Sequence, residues 1–209
     1  MGRAVIFDVG QVLLHWDVYA LYRKLLPSDA EIADFLDEVR LLDHNLEFDR
    51  GTPFSDGIAA LVARFPHHRE LLEAFDTRWA ETVPGLIDGS VAILESLDTA
   101  GVPLFAITNF AREKWALSVE RFPFLETRFR DVAVSGHEGV IKPDPEIFER
   151  LLARNNLQPE SCIFIDDSPK NVAGARGLGI DAVLFTDPPA LHRDLAARSI
   201  PGVVAGSGS

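Results

Sequence analysis

Five short runs along the chain are apolar at successive positions rather than at alternate ones: AVIFD at 4–8, GVPLFAIT at 101–108, DVAVS at 131–135, CIFID at 162–166 and DAVLF at 181–185. Strands that are apolar on both faces are covered on both sides, as in parallel sheets with crossover helices above and below. Between the later runs, SVAILESLDTA at 90–100, REKWALSVERF at 112–122, PEIFERLLARNN at 145–156 and KNVAGARGLG at 170–179 carry the helical spacing of apolar positions. The alternation predicts an α/β fold, a Rossmann-like parallel sheet with helices on both faces. Gly101 after Ala100 marks a helix end, and Asp144-Pro145 marks a helix start.

Residues 15–88 break the alternation. They hold four helical patterns, DVYALYRKLL, DAEIADFLDEVRLLD, FSDGIAALVARF and HRELLEAFDTRWAETV, and no convincing strand. The expected organisation is an α/β core from 1–14 and 89–200, an inserted α-helical cap at 15–88, and a flexible Gly/Ser-rich tail at 201–209. A helical module spliced in after the first strand leaves a crevice over the carboxyl ends of the strands, where chemistry is expected.

Composition narrows the function. With 47% hydrophobic and 25% charged residues in 209, the chain buries an ordinary core and is not disordered. Its 32 acidic and 20 basic residues leave a formal charge of −12, which repels nucleic acid and anionic membranes, so neither is expected as a partner. An anionic small molecule needs a local cation or a metal to approach. No apolar run reaches the roughly 18–20 residues of a membrane helix, and the start lacks a basic leader, so a cytoplasmic protein is expected. Cys162, the sole cysteine, lies in the apolar run SCIFI and reads as a small buried hydrophobe. The histidines show no metal-ligand spacing, and the adjacent His67 and His68 are not expected to share an ion.

Four groups fall at or just beyond strand ends: Asp8 with Gly10 close behind, Thr108 with Asn109, Lys142 in IKPDP, and Asp166-Asp167. Strand ends of a parallel sheet share one edge, so the groups can converge. Together they offer a carboxylate nucleophile, a hydroxyl and an amide for oxygens, a cation, and an acidic pair able to hold Mg²⁺. Such a set suits phosphoryl transfer. Asn171 follows at the next helix start, either orienting the acids or capping that helix.

The motifs FDVGQV, ITN, the lysine of IKPDPEIF and FIDDSPKNVAGARGLGI, in this order over about residues 4–186, resemble those of the haloacid dehalogenase superfamily of hydrolases. The resemblance implies Asp8 as nucleophile, Thr108 holding the transferred group, Lys142 balancing charge, and a Mg²⁺ site from Asp8, the Gly10 carbonyl, Asp166 and Asp167. It also implies that residues 15–88 form the family's substrate-selecting cap. One departure stands out: family phosphatases usually carry an acid two residues after the nucleophile, where this chain has Gly10. The expectation is a Mg²⁺-dependent phosphatase of a small phosphorylated metabolite, such as a sugar phosphate resembling the Asp-x-Gly-Asn/Gln-Val type. The alternatives are a metal-independent 2-haloacid dehalogenase, with Arg40 as its halide cation, and a non-catalytic binding member. Asn109 would hold phosphoryl oxygens, and His15, Trp16 and His44 are candidates to touch the substrate or lend the missing acid.

Overall fold

A computed structural model describes residues 3–203. The first strand, β1 (Ala4–Phe7), leads into five helices: α1 (Val18–Tyr22), α2 (Asp29–Val39), α3 (Leu41–Asp49), α4 (Phe54–Arg64) and α5 (Arg69–Thr77). The rest alternates as α6 (Asp88–Thr99), β2 (Leu104–Thr108), α7 (Arg112–Arg121), α8 (Phe124–Thr127), β3 (Asp131–Val134), α9 (Ser135–Glu138), α10 (Pro145–Arg154), β4 (Cys162–Asp166), α11 (Pro169–Gly177), β5 (Asp181–Leu184) and α12 (Pro188–Ala197). All five expected strands form, in one sheet of order β3-β2-β1-β4-β5 with every pairing parallel.

Successive side chains of a strand point to opposite faces. Val5, Phe7, Leu104, Ala106, Ile163 and Ile165 therefore share one apolar cluster, and Ala4, Ile6, Phe105, Ile107, Cys162 and Phe164 share the other. α10 and α11 cover the second face through Ile147, Phe148, Leu151, Val172 and Ala175. The first cluster runs on without a break into the helices after β1, taking in Leu21, Tyr22, Phe35, Phe48, Phe54 and Phe75. Gly101 adopts φ +76 just after the Ala100 C-cap, and Asp144 caps α10 by accepting the Glu146 N–H at 3.0 Å.

The chain enters and leaves the helical insert through segments that lie side by side. His15 N–H donates to the Gly85 carbonyl (2.9 Å), Asp17 N–H to Thr82 (2.7 Å) and Ile87 N–H to Leu13 (2.8 Å), around an antiparallel bridge between Leu14 and Leu86. Arg121 of α7 braces the outgoing segment by donating to the Val83 carbonyl at 2.8 Å.

The helical patterns need three corrections. The pattern at 29–43 is two helices, broken where Arg40 takes a left-handed conformation (φ 51, ψ 44) that caps α2, and α3 then runs on to Asp49 through what read as a loop. Its apolar positions split between the interior (Leu41, Phe48) and the outside (Leu42, Leu46), so no single stripe announces it. α1 is shorter than its pattern, with Lys24–Leu26 continuing as turns before Pro27. The last pattern ends as α5 followed by a 3-10 turn over Trp79–Thr82. Helices α8, α9 and α12 were not expected. Residues 204–209 of the expected tail lie outside the described residues.

Candidate active site

Register delivers three of the predicted groups to one edge. Phe7 of β1 lies opposite Ile165 of β4 and Ala106 of β2, so Asp8, Asp166 and Thr108 emerge from adjacent strands at the same end. The Asp8 N–H continues the ladder to the Ile165 carbonyl (2.8 Å). Lys142, 2% exposed, comes in from the segment before α10, and its ammonium bridges Asp8 Oδ1 and Asp166 Oδ2 at 2.7 Å each while donating to the Ile107 carbonyl at 3.0 Å. Asn109 fixes where that lysine starts. Its side-chain oxygen accepts the Lys142 N–H (2.7 Å) and its amide donates to the Lys142 carbonyl (3.1 Å). Asn109 thus lines the site while spending its side chain on Lys142.

Asp166 is the anchor of the acidic pair. Asn171 donates to both its oxygens at 3.0 and 3.1 Å, and the Ser168 N–H to Oδ1 at 2.8 Å, so its carboxylate orientation is over-determined. Asp167 sits beside it on the exposed side, and ligand oxygens of Asp8, Asp166 and Asp167 lie within 4.8 Å of one another. Three carboxylates against one lysine leave excess negative charge in a buried place, which a divalent cation with oxygen ligands would neutralise. The donor set therefore fits Mg²⁺. Burial, with Asp166 adding to it against Lys142, pushes the Asp8 carboxyl well above its ordinary range. Burial and the neighbouring Asp166 also raise Asp167. For Lys142, burial opposes the charge but Asp8 and Asp166 outweigh it, and the net direction is up.

Among the described residues, the hydroxyl of Thr108, 1% exposed, has no hydrogen-bond partner. Such a group is uncommon in folded proteins and marks a place where an oxygen acceptor fits. Gly10, in the turn after β1, is open, since a Cβ built there meets nothing within 4 Å. Gln11 holds the turn with a left-handed backbone (φ 57) and accepts the Trp16 N–H at 3.1 Å.

Between sheet edge and insert lies a cavity of about 440 Å³ lined by Asp8, Gly10 and Lys142 at its floor. Its walls are largely apolar: Leu14, Trp16, Leu42, Leu46, Trp79 and Phe110. Of the sequence candidates, His15 and Trp16 line it; His44 does not, lying half-buried on α3 away from the lining. Arg40 is exposed and not itself in the lining, but its guanidinium pairs at 2.6 Å with Asp43, which is. His67 and His68, not expected to share an ion, both turn Nε2 to Glu38 at 3.0 Å on the insert surface. Sequence reasoning missed Asp49, the last residue of α3, which is 7% exposed on the cavity wall. Its only advance signal is an acid beside Phe48 at the end of a run closed by Gly51.

Residues 3–179 match the family described as haloacid dehalogenase-like hydrolase. A drimenol cyclase of Aspergillus calidoustus is 28% identical over 93% of this chain and 36% of its own length. A phosphoserine phosphatase of Thermus thermophilus is 35% identical over 55% of this chain and 45% of its own. A sesquiterpene phosphatase of Aspergillus oryzae is 27% identical over 50% of this chain and 53% of its own. The chain thus spans between about a third and about half of these relatives. A haloacid dehalogenase-family enzyme from Bacteroides thetaiotaomicron, solved as a magnesium complex, superposes with a TM-score of 0.69 over 89% of this chain and 94% of that one at 19% identity, a likeness of fold. With the family match covering most of its length and the motif residues meeting at one sheet edge, this chain belongs to the haloacid dehalogenase-like hydrolases.

Proposed function

We propose that the chain is a Mg²⁺-dependent phosphatase of small organic phosphate esters, acting through an aspartyl-phosphate on Asp8, with the helical insert as its cap. The observation that carries this reading is the buried Lys142 holding both Asp8 and Asp166 at 2.7 Å. It orients one Asp8 oxygen and leaves the other for attack on phosphorus, with the ester oxygen as leaving group. The unpartnered Thr108 hydroxyl and the Lys142 ammonium would hold phosphoryl oxygens as charge shifts onto them. Water then attacks phosphorus, the Asp8–phosphorus bond breaks, and phosphate leaves. Asp8, Asp166, Asp167 and the Gly10 carbonyl would hold Mg²⁺, which supplies positive charge against the anionic ester.

The acidic pair favours this reading over a metal-independent dehalogenase, and Arg40, not itself in the cavity lining, has its guanidinium engaged by Asp43. The walls bear on the substrate. Aliphatic and indole surfaces suit an ester with an apolar or aromatic body better than a bare sugar phosphate, in line with the sesquiterpene phosphatase relative. The test is phosphate release from p-nitrophenyl phosphate with and without Mg²⁺, then from 2-phenylethyl phosphate against glucose 1-phosphate. Asp8→Asn is expected to abolish turnover while the circular dichroism spectrum is unchanged. Turnover retained by that variant ends the mechanism.

A further inference from the structure

Gly10 gives the departing ester oxygen no proton donor from the strand side, and α3 brings a carboxylate from the opposite side. Asp49 ends α3 on the wall of the cavity whose floor is Asp8, Gly10 and Lys142. Acids this buried are ordinarily paired with a cation. Among the described residues Asp49 makes no ion pair; Asn45 donates to its Oδ2 at 3.1 Å, and the Ala111 N–H, at the start of α7, faces it.

Resting on the phosphatase reading above, we propose that Asp49 is the catalytic acid and base of this enzyme, supplied by the insert in place of an acid at position 10. In the first half-reaction an Asp8 oxygen bonds to phosphorus, the ester P–O bond breaks, and the Asp49 proton passes to the leaving oxygen to give the alcohol. In the second, a water oxygen bonds to phosphorus while its proton returns to Asp49, the Asp8–phosphorus bond breaks, and phosphate departs. The sum is ester plus water to alcohol plus phosphate, with both aspartates restored.

The environment of Asp49 suits both roles. Burial pushes it up to about 7, while the Ala111 N–H and the Lys142 ammonium pull it down. It therefore holds a proton at neutrality and can lose it there, the condition for an efficient acid–base group. The other charged groups around it are His15, Asp43 and Lys114 on the cavity lining, Asp8 behind Lys142, and His137 on α9, which packs on α3.

The test compares Asp49→Asn with the parent on two esters in Mg²⁺. Asparagine keeps an oxygen for the Ala111 N–H and has no proton to give. p-Nitrophenolate leaves without protonation, and an alkoxide does not. Turnover of 2-phenylethyl phosphate is expected to fall at least about 100-fold, and that of p-nitrophenyl phosphate far less. In the parent, kcat/KM for the alkyl ester should decline as pH rises through about 7. That limb should vanish in the variant, the ester's own ionisation being common to both. Adding Gly10→Asp to Asp49→Asn should restore alkyl-ester hydrolysis, since the added side chain has open space. Equal losses on both esters with an unchanged pH profile would reduce Asp49 to a latch between insert and core. If Asp49→Asn does not fold, Asn45→Ala serves: removing a donor should move the alkaline limb to higher pH, and an unmoved limb overturns the assignment. A parent that releases phosphate from neither ester sinks the phosphatase reading and Asp49's role with it, whereas an active parent with uniform loss sinks Asp49 alone.

Discussion

On the phosphatase reading, Thr108 trades stability for reactivity. Its hydroxyl is buried without a partner. An unpartnered buried hydroxyl costs about 1–3 kcal/mol, a cost relieved only when an acceptor arrives. Thr108→Val is therefore expected to raise the unfolding free energy by about 1 kcal/mol in phosphate-free buffer, read by urea denaturation. The same variant should lower phosphatase turnover by about tenfold or more, because a phosphoryl oxygen loses its donor. Stability and activity moving together would instead mean that the hydroxyl serves packing. Asp8, Lys142 and Asp166 follow the opposite logic: each is bonded to the next, so removing one strands the charge of another.

At the scale of elements, Lys114 is one of the polar ties between insert and core. Lys114 of α7 is 3% exposed, and its ammonium bonds the Asp76 carboxylate at 2.5 Å and carbonyl at 2.9 Å at the end of α5, while lying 4.1 Å from the centre of the Phe54 ring on α4. Lys114→Met keeps the aliphatic stem and removes the charge. Because Asp76 can rehydrate, the expected loss is about 1–3 kcal/mol, with faster amide exchange in α4 and α5 as the local readout. Unchanged exchange there would show that apolar packing alone seats the insert. This scale also shows what the chain disclosed of itself. The strands were legible because each is apolar on both faces, and strand order then forces Asp8, Thr108 and Asp166 together. Helix α3 was not, since Leu42 and Leu46 face outward at the cavity mouth while Leu41 and Phe48 face inward. Periodicity reports one buried face, and a helix serving both core and cavity has two. Asp49 and the apolar wall were hidden by the same fact. Asn109 was placed correctly at the strand end, but its bond to Lys142 joins residues 33 apart in sequence, which spacing does not reveal.

For the molecule as a whole, charge and connection matter most. A formal charge of −12 opposes the approach of an anionic ester over distances that salt screens, about 10 Å at 0.1 M. kcat/KM for a phosphate ester should thus rise about twofold when ionic strength goes from low to physiological, and kcat should change little. A fall would mean that the local field of Lys142 and bound metal reaches beyond the cavity mouth. No helix among the described residues is long and apolar enough to cross a membrane.

On the proposed reading, in which the insert is a cap that opens, the seam formed by residues 13–17 and 82–87 would be its hinge. Two straps stitched to each other resist sliding and permit tilting. A tilt about that line would carry α3 as one piece, so Leu46 and Asp49 would withdraw from Asp8 in the same stroke. Opening the door for alcohol to escape would also carry off the proton relay, leaving the phosphorylated carboxylate inert until the door shuts again.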